Sequence, residues 1–225
     1  MGENTEMKLL LTSAGLKNRK ISDTLVELVG KPVSEISIAF VPTAANLERG
    51  DKVWLIDDLV NLKKQNFKSI DIIDISALEK EKWLEGFKSA DVLFFSGGNT
   101  FHLMYWVEKS GLKKLLPDLL KTKVYAGISG GSCIVGPKVL TFIQEFFPDE
   151  ENEHNVVDGL ALVPFHICPH LNSTWFKDLR EEKIRKLARS TKESTYVIDD
   201  QCAIKVIDDK VEVVGEGEHF EINNV

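Results

Sequence analysis

The densest chemical signal in the chain is a serine set among glycines, Gly127-Ile128-Ser129-Gly130-Gly131. It fits G-x-S-x-G, in which a nucleophile rides a sharp turn from strand to helix. Such a turn strains the backbone at the serine, and only small neighbours let the chain pass so tightly. It also directs the N–H of Gly130, at the start of a helix, towards an oxyanion forming at the site. The plain alternative is a glycine-rich turn that binds phosphate or only connects two elements. Ser132 is expected inside that helix, away from the nucleophile position. A second glycine turn, Ser96-Gly97-Gly98-Asn99-Thr100, follows the apolar run Val92–Phe95 and offers the amides of Gly97 or Gly98 to the same oxyanion. Asn99 or Thr100 also suits the cap of the following helix.

A serine nucleophile needs a base within hydrogen-bond reach and a third group to orient that base. Of five histidines, His154 lies in an acidic loop, His219 near the C-terminus and His102 within a helix. His166 and His170 remain, in Phe165-His166-Ile167-Cys168-Pro169-His170. His170 follows proline at an expected strand end and is the preferred base, whereas His166 is expected within the strand. Alternate strand residues share a face, so His166, Cys168 and His170 also permit a metal reading, although no fourth ligand is near. The orienting acid is sought at Asp199-Asp200, another strand end, where a turn-forming Asp pair is the competing account. Glu145, Asp149 and Asp158 are rivals for that role.

These groups must be positioned by a scaffold. Short apolar runs (Lys8–Thr12, Ile36–Val41, Ser69–Ile73, Val92–Phe95, Val124–Ile128) alternate with helical patterns at Ile21–Val29, Val53–Lys64, Lys82–Phe87, after Thr100 and at Leu112–Lys121. That βαβα order, with strands apolar on nearly every residue, predicts an α/β fold with a mostly parallel sheet and helices on both faces. Both glycine turns then leave C-terminal strand ends, the edge where open α/β sheets bind ligands. From Val135 to Gly159 the pattern breaks into an acid-rich segment with Asp149, Glu150, Glu151 and Glu153, expected as a solvated loop or a lid. Beyond it the sequence predicts a strand at Leu160–Ile167 and a helix at Phe176–Ala188 with Arg180, Lys183 and Arg185 outward. Short strands at Tyr196–Ile198, Ala203–Ile207 and Val211–Val214 then end the sheet, the last two as a hairpin around Asp208-Asp209-Lys210.

Composition bounds the partners. The chain has 225 residues, enough for one substantial core, and is read as a single domain over residues 1–225. A formal net charge of -7 argues against nucleic acid or anionic membrane as a partner. Only three cysteines occur, Cys133, Cys168 and Cys202, an odd set that fits a reducing compartment; the cytoplasm is expected. No signal peptide or apolar run of about 18 residues is seen, and Glu6 breaks the myristoylation motif at Gly2.

Taken together, Gly97-Gly98-Asn99-Thr100, the elbow Gly127–Gly131, Pro169-His170, the segment Asp178-Leu179-Arg180 through Ile184 and the Asp199–Ala203 turn resemble the serine peptidases of the peptidase E (α-aspartyl dipeptidase) and cyanophycinase type. They occur in that family's order over nearly the whole chain. The resemblance implies a flavodoxin-like sheet related to class I glutamine amidotransferases, with Ser129 as nucleophile, His170 as general base and the acid at Asp200. Arg180 would grip the carboxylate of an N-terminal aspartyl residue, a bidentate task suited to guanidinium. Asn99 is the other expected substrate contact, and Gly97, Gly98 and Gly130 line the oxyanion hole. Two departures stand out. The family's usual acid is Glu, one methylene longer than Asp200, and its usual elbow reads Ser-Ala-Gly, so Ser-Gly-Gly here is expected to loosen the turn. The expected activity is hydrolysis of small peptides, chiefly dipeptides beginning with aspartate, without metal or organic cofactor, by a monomer or homodimer. The alternatives are an amidotransferase-like or esterase-like hydrolase of another acyl substrate, although an amidotransferase would carry cysteine at the elbow, and a non-catalytic ligand-binding member of the fold.

Overall fold

The computed structural model describes residues 6–139, 143–148, 150–189 and 191–223. In chain order its strands are β1 (Lys8–Thr12), β2 (Ser37–Val41), β3 (Ser69–Ile72), β4 (Val92–Phe95), β5 (Val124–Ile128), β6 (His166–Leu171), β7 (Thr195–Asp199), β8 (Cys202–Ile207), β9 (Lys210–Gly215) and β10 (His219–Ile222). Its α-helices are α1 (Arg19–Val29), α2 (Thr43–Leu47), α3 (Val53–Lys64), α4 (Lys80–Ser89), α5 (Thr100–Lys109), α6 (Leu112–Leu119), α7 (Gly130–Cys133), α8 (Ile143–Phe146) and α9 (Glu181–Ala188).

A seven-stranded sheet runs in the order β3-β2-β4-β5-β1-β8-β9. The first five strands are parallel, and β8 and β9 add antiparallel to β1 as a hairpin turned at Asp208-Asp209. Period-two alternation explains its two-sided burial. Leu9, Leu11, Ala39, Val41, Leu93, Phe95 and Tyr125 pack under Trp83 and Phe87 of α4, Phe101 and Met104 of α5 and Leu116 of α6. Leu10, Ile38, Phe40, Phe94 and Ala126 point the other way, against Ile21, Leu25 and Leu28 of α1 and Leu62 of α3. The expected large, mostly parallel sheet with helices on both faces is therefore present.

The later strands depart from expectation. Tyr196–Ile198 does not end the large sheet; it forms β7 of a second, three-stranded sheet in the order β10-β7-β6. The strand expected at Leu160–Ile167 starts late, at His166. The amides of Leu160, Ala161, Leu162 and Val163 are drawn instead to carbonyls of Ile134, Val135 and Gly136, so this stretch packs on the turn after α7. The expected helix at Phe176–Ala188 is shorter, beginning at Glu181, and Phe176 packs beside Phe147. A third core under the small sheet gathers Phe146, Cys168, Leu171, Leu179, Ile184, Val197 and Ile222. Among the described residues no helix is long and apolar enough to cross a membrane.

Candidate active site

Ser129 stands between β5 and α7 with φ 48° and ψ −112°, the strained conformation expected of an elbow. The adjoining strand β1 holds the turn: the Ser129 amide donates to the Thr12 carbonyl at 3.0 Å and the Ser132 hydroxyl to the same oxygen at 2.8 Å. Ser132 is thereby used inside the fold, as its helical position foretold. The turn after β4 lies against the elbow. Gly98 has φ +116°, and a β-carbon there would come within 2.5 Å of the Ala44 backbone. A β-carbon at Gly130 would meet the Gly98 carbonyl oxygen at 2.8 Å and Thr100 Oγ1 at 2.9 Å. The expected loosening at Gly130 is thus replaced by close packing between the two turns. Among the described residues nothing accepts a hydrogen bond from the amides of Gly97, Gly98 or Gly130.

His170 reaches the elbow from β6. Pro169 cannot donate to a ladder, and the pairing of β6 with β7 shifts between Cys168 and Leu171. His170 at that irregularity takes φ +64°. It therefore lies inside β6 and not after its end, and the kink is what turns its ring. Its Nε2 is 2.8 Å from Ser129 Oγ, and its Nδ1 is 2.6 Å from Asp200 Oδ1. Phe147 and Phe176 flank the imidazole. Asp200 is in the turn that carries the chain from β7 to β8, hence from the small sheet to the large one. Burial alone would raise its carboxyl, but hydrogen bonds and charge from His170, with hydroxyl donors Ser13 and Ser173, hold it below the usual carboxylate range. An ionised Asp200 fixes the proton on Nδ1 and leaves Nε2 to accept from the Ser129 hydroxyl.

Among the described residues none of the rival acids bonds the imidazole. Asp199 accepts the amides of Gln201 and Glu218, the turn-forming role. Glu145 is exposed on α8, Asp158 is exposed with its backbone paired to that of Lys138, and Asp149 lies outside the described residues. His166 is buried against Glu193, with Nε2 3.3 Å from its carboxylate; burial lowers the imidazole's pKa. The Cys168 thiol is pushed up to about 12 by burial, which keeps it protonated. Among the described residues no three His, Cys, Asp or Glu side chains gather as metal ligands.

The two expected substrate contacts, Asn99 and Arg180, both make hydrogen bonds within the fold. Asn99 caps α5 through the His102 amide and donates to the Glu151 carbonyl, so both ends of its side chain serve the fold. Arg180 does not project outward. Its Nη1 donates to the carbonyls of Ser173, Phe176 and Leu179, tying the turn before α9. It does not border the cavity beside Ser129, which is walled by Thr100, Gly130, Cys133, Phe146, Phe147, Glu150, Ile167, Cys168, Pro169 and Leu179. Glu150 was hidden in the acid-rich run. It accepts the Thr100 amide at 3.0 Å, and burial pushes its carboxyl up to about 7. Of the segment holding it, Phe146, Phe147 and Glu150 border the cavity beside Ser129, while Glu151, Glu153 and His154 are exposed. Ser13 also escaped the sequence reading, since a lone serine after a strand carries no pattern.

Known proteins share this arrangement of elements. The model of peptidase family S51 matches residues 9–214. An uncharacterized peptidase of Listeria innocua is 25% identical over 78% of this chain and 82% of its own length. Peptidase E of Streptomyces coelicolor is 27% identical over 56% of this chain and 53% of its own. A crystal structure assigned to peptidase E from Listeria monocytogenes superposes with a TM-score of 0.77 at 22% identity, covering 94% of this chain and all of that one. The chain belongs to peptidase family S51, the serine-type peptidases that include peptidase E.

Proposed function

We propose that this peptidase cleaves small peptides through an acyl-enzyme formed on Ser129, with His170 as general base and Asp200 as the acid that orients it. The observation that carries the reading is the pair of short contacts made by one imidazole, 2.8 Å to Ser129 Oγ and 2.6 Å to Asp200 Oδ1. In the first step Ser129 Oγ bonds to the scissile carbonyl carbon while Nε2 takes its proton. The oxyanion faces the amides of Gly130 and of Gly97 or Gly98. The C–N bond then breaks, and the leaving amine takes the proton from Nε2. Water attacks the acyl ester by the same relay, giving a carboxylate product and restoring the serine.

Dipeptides beginning with aspartate are the substrate class implied by the peptidase E resemblance. A second reading is favoured by the cavity wall, which among the described residues has apolar side chains and Glu150 but no cation. It assigns peptides whose first side chain is uncharged, with Glu150 placed to pair with an α-ammonium. Turnover of Asp-X and Ala-X or Leu-X dipeptides separates the two. A cytoplasmic setting fits the three cysteines, all buried and unpaired. The mechanism itself is tested with Ser129→Ala: a folded variant that kept full turnover would end it, whereas loss of turnover and of fluorophosphonate labelling is expected.

A further inference from the structure

We infer that Ser13 is a positioning residue of the site, a hydroxyl that locks the acid and the base together from a third element. The inference rests on the acyl-enzyme reading above. Ser13 follows β1, whose last residue Thr12 pairs with Ile128 of β5 on one side and Ala203 of β8 on the other. It therefore sits between the strand that delivers Ser129 and the strand entered just after Asp200. Its side chain is fully buried. The hydroxyl donates to Asp200 Oδ1 at 2.8 Å and accepts the backbone N–H of His170 at 2.8 Å, and it lies 3.3 Å from His170 Nδ1.

Each of these contacts has a mechanical meaning. The oxygen of Asp200 that receives the Ser13 proton is the same one that meets the imidazole, so the hydroxyl fixes the carboxylate where the ring needs it. The accepted N–H belongs to the residue with φ +64°, a conformation a non-glycine residue keeps only when its surroundings hold it there. A hydroxyl both donates and accepts, so it can perform the two tasks at once; a methyl performs neither. Ser173 also bonds the Asp200 carboxylate, but only Ser13 also takes the His170 amide.

The test is steady-state kinetics of Ser13→Ala on the best dipeptide, with proton NMR of the downfield His170 Nδ1–H resonance. Expected is a fall in kcat of about 10–100-fold with KM within about twofold, the signature of an interaction needed in the transition state. The Nδ1–H resonance should shift upfield or broaden, which a merely structural serine would not cause. Ser13→Cys keeps a donor, weaker and on a larger atom, and should move both readouts the same way, covering the case in which the alanine variant folds poorly. In a His170→Ala background, where residual acylation is followed with an activated ester, Ser13→Ala should change little. A wild-type kcat and unshifted resonance in folded Ser13→Ala, or the full loss reappearing without His170, would overturn the inference. Failure of the underlying reading looks different: there Ser129→Ala itself would remain active.

Discussion

Ser129 leaves a strand of the large sheet, whereas His170 lies in the small one and Asp200 in the turn that leaves it, and the two regions are built to different standards. Strands β4 and β5 are buried at every residue and have helices on both faces. The small sheet packs on two cores, Ile167 and Ile198 on the main one and Cys168, Leu171, Val197 and Ile222 on the third, but its outer strand β10 alternates between exposed and covered positions. Local opening should therefore be easier on the side of the base and the acid than on the side of the nucleophile. Catalysis nevertheless requires both at hydrogen-bond distance. The lesson is that the site is only as well aligned as its less buried half, and several experiments can break or sharpen that contrast.

The largest effect should come from removing one partner on each sheet. Ser129→Ala and His170→Ala should each lower kcat about 10^4- to 10^6-fold, and the double variant should lose scarcely more, because groups acting as a unit are not additive. Steady-state turnover of the best dipeptide measures this; multiplicative losses would mean that the sheets contribute separately.

Core truncations come next. Phe94→Ala in the large sheet should cost about 3–5 kcal/mol in urea unfolding, with kcat of the folded fraction unchanged. Val197→Ala in β7 should cost about 1–3 kcal/mol, yet lower kcat several-fold beyond any unfolded fraction, since Asp200 hangs from that strand. Equal kcat losses from the two variants would erase the distinction between the sheets.

Acidity offers a third handle, on the side of the large sheet. Asp58 of α3 is buried, and burial foremost, against a smaller opposing pull from Lys17, pushes its carboxyl up to about 7. Folded protein then holds a proton that the unfolded chain has released, so this group removes stability as pH rises from about 4 to 7. Asp74, Asp91 and Asp200, all held below the usual range, are ionised in both states above pH 5 and leave that window alone. Asp58→Asn should narrow the loss of stability between pH 5 and pH 8 by about 2 kcal/mol in urea titrations. An unchanged pH dependence would show that the carboxyl titrates normally.

The smallest effect is assigned to Arg180→Ala. With its guanidinium spent on carbonyls of the turn before α9, its loss should lower kcat/KM less than about tenfold and equally for Asp-X and Ala-X peptides, through slackened support of the neighbouring loop. A loss confined to Asp-X would restore it as a reader of the substrate side chain.

What could be read beforehand follows the same divide. Val92–Phe95 and Val124–Ile128 announce themselves because burial on both faces leaves no polar residue, and Ser129 is conspicuous by its glycines. His170 and Asp200 could be nominated from Pro169 and from the break between two short strands. The sheet to which those strands belong could not, because Tyr196–Ile198 reads alike in either. The position of His166 at the start of β6 was hidden as well, since Leu160–Val163 is apolar for the sake of the turn after α7 and not for a ladder. Roles set by a single contact across the chain, such as those of Ser13, Glu150 and Arg180, leave no periodic trace at all.

The contact between Gly130 and the turn at Gly98 also bears on how such sequences diverge. An alanine at residue 130 would press on a backbone oxygen and on Thr100. Residues 98–100 and residue 130 thus form an epistatic pair: a relative's tripeptide grafted onto this chain alone should perturb the oxyanion donors. Exchanged together with the neighbouring turn, the same graft should be tolerated.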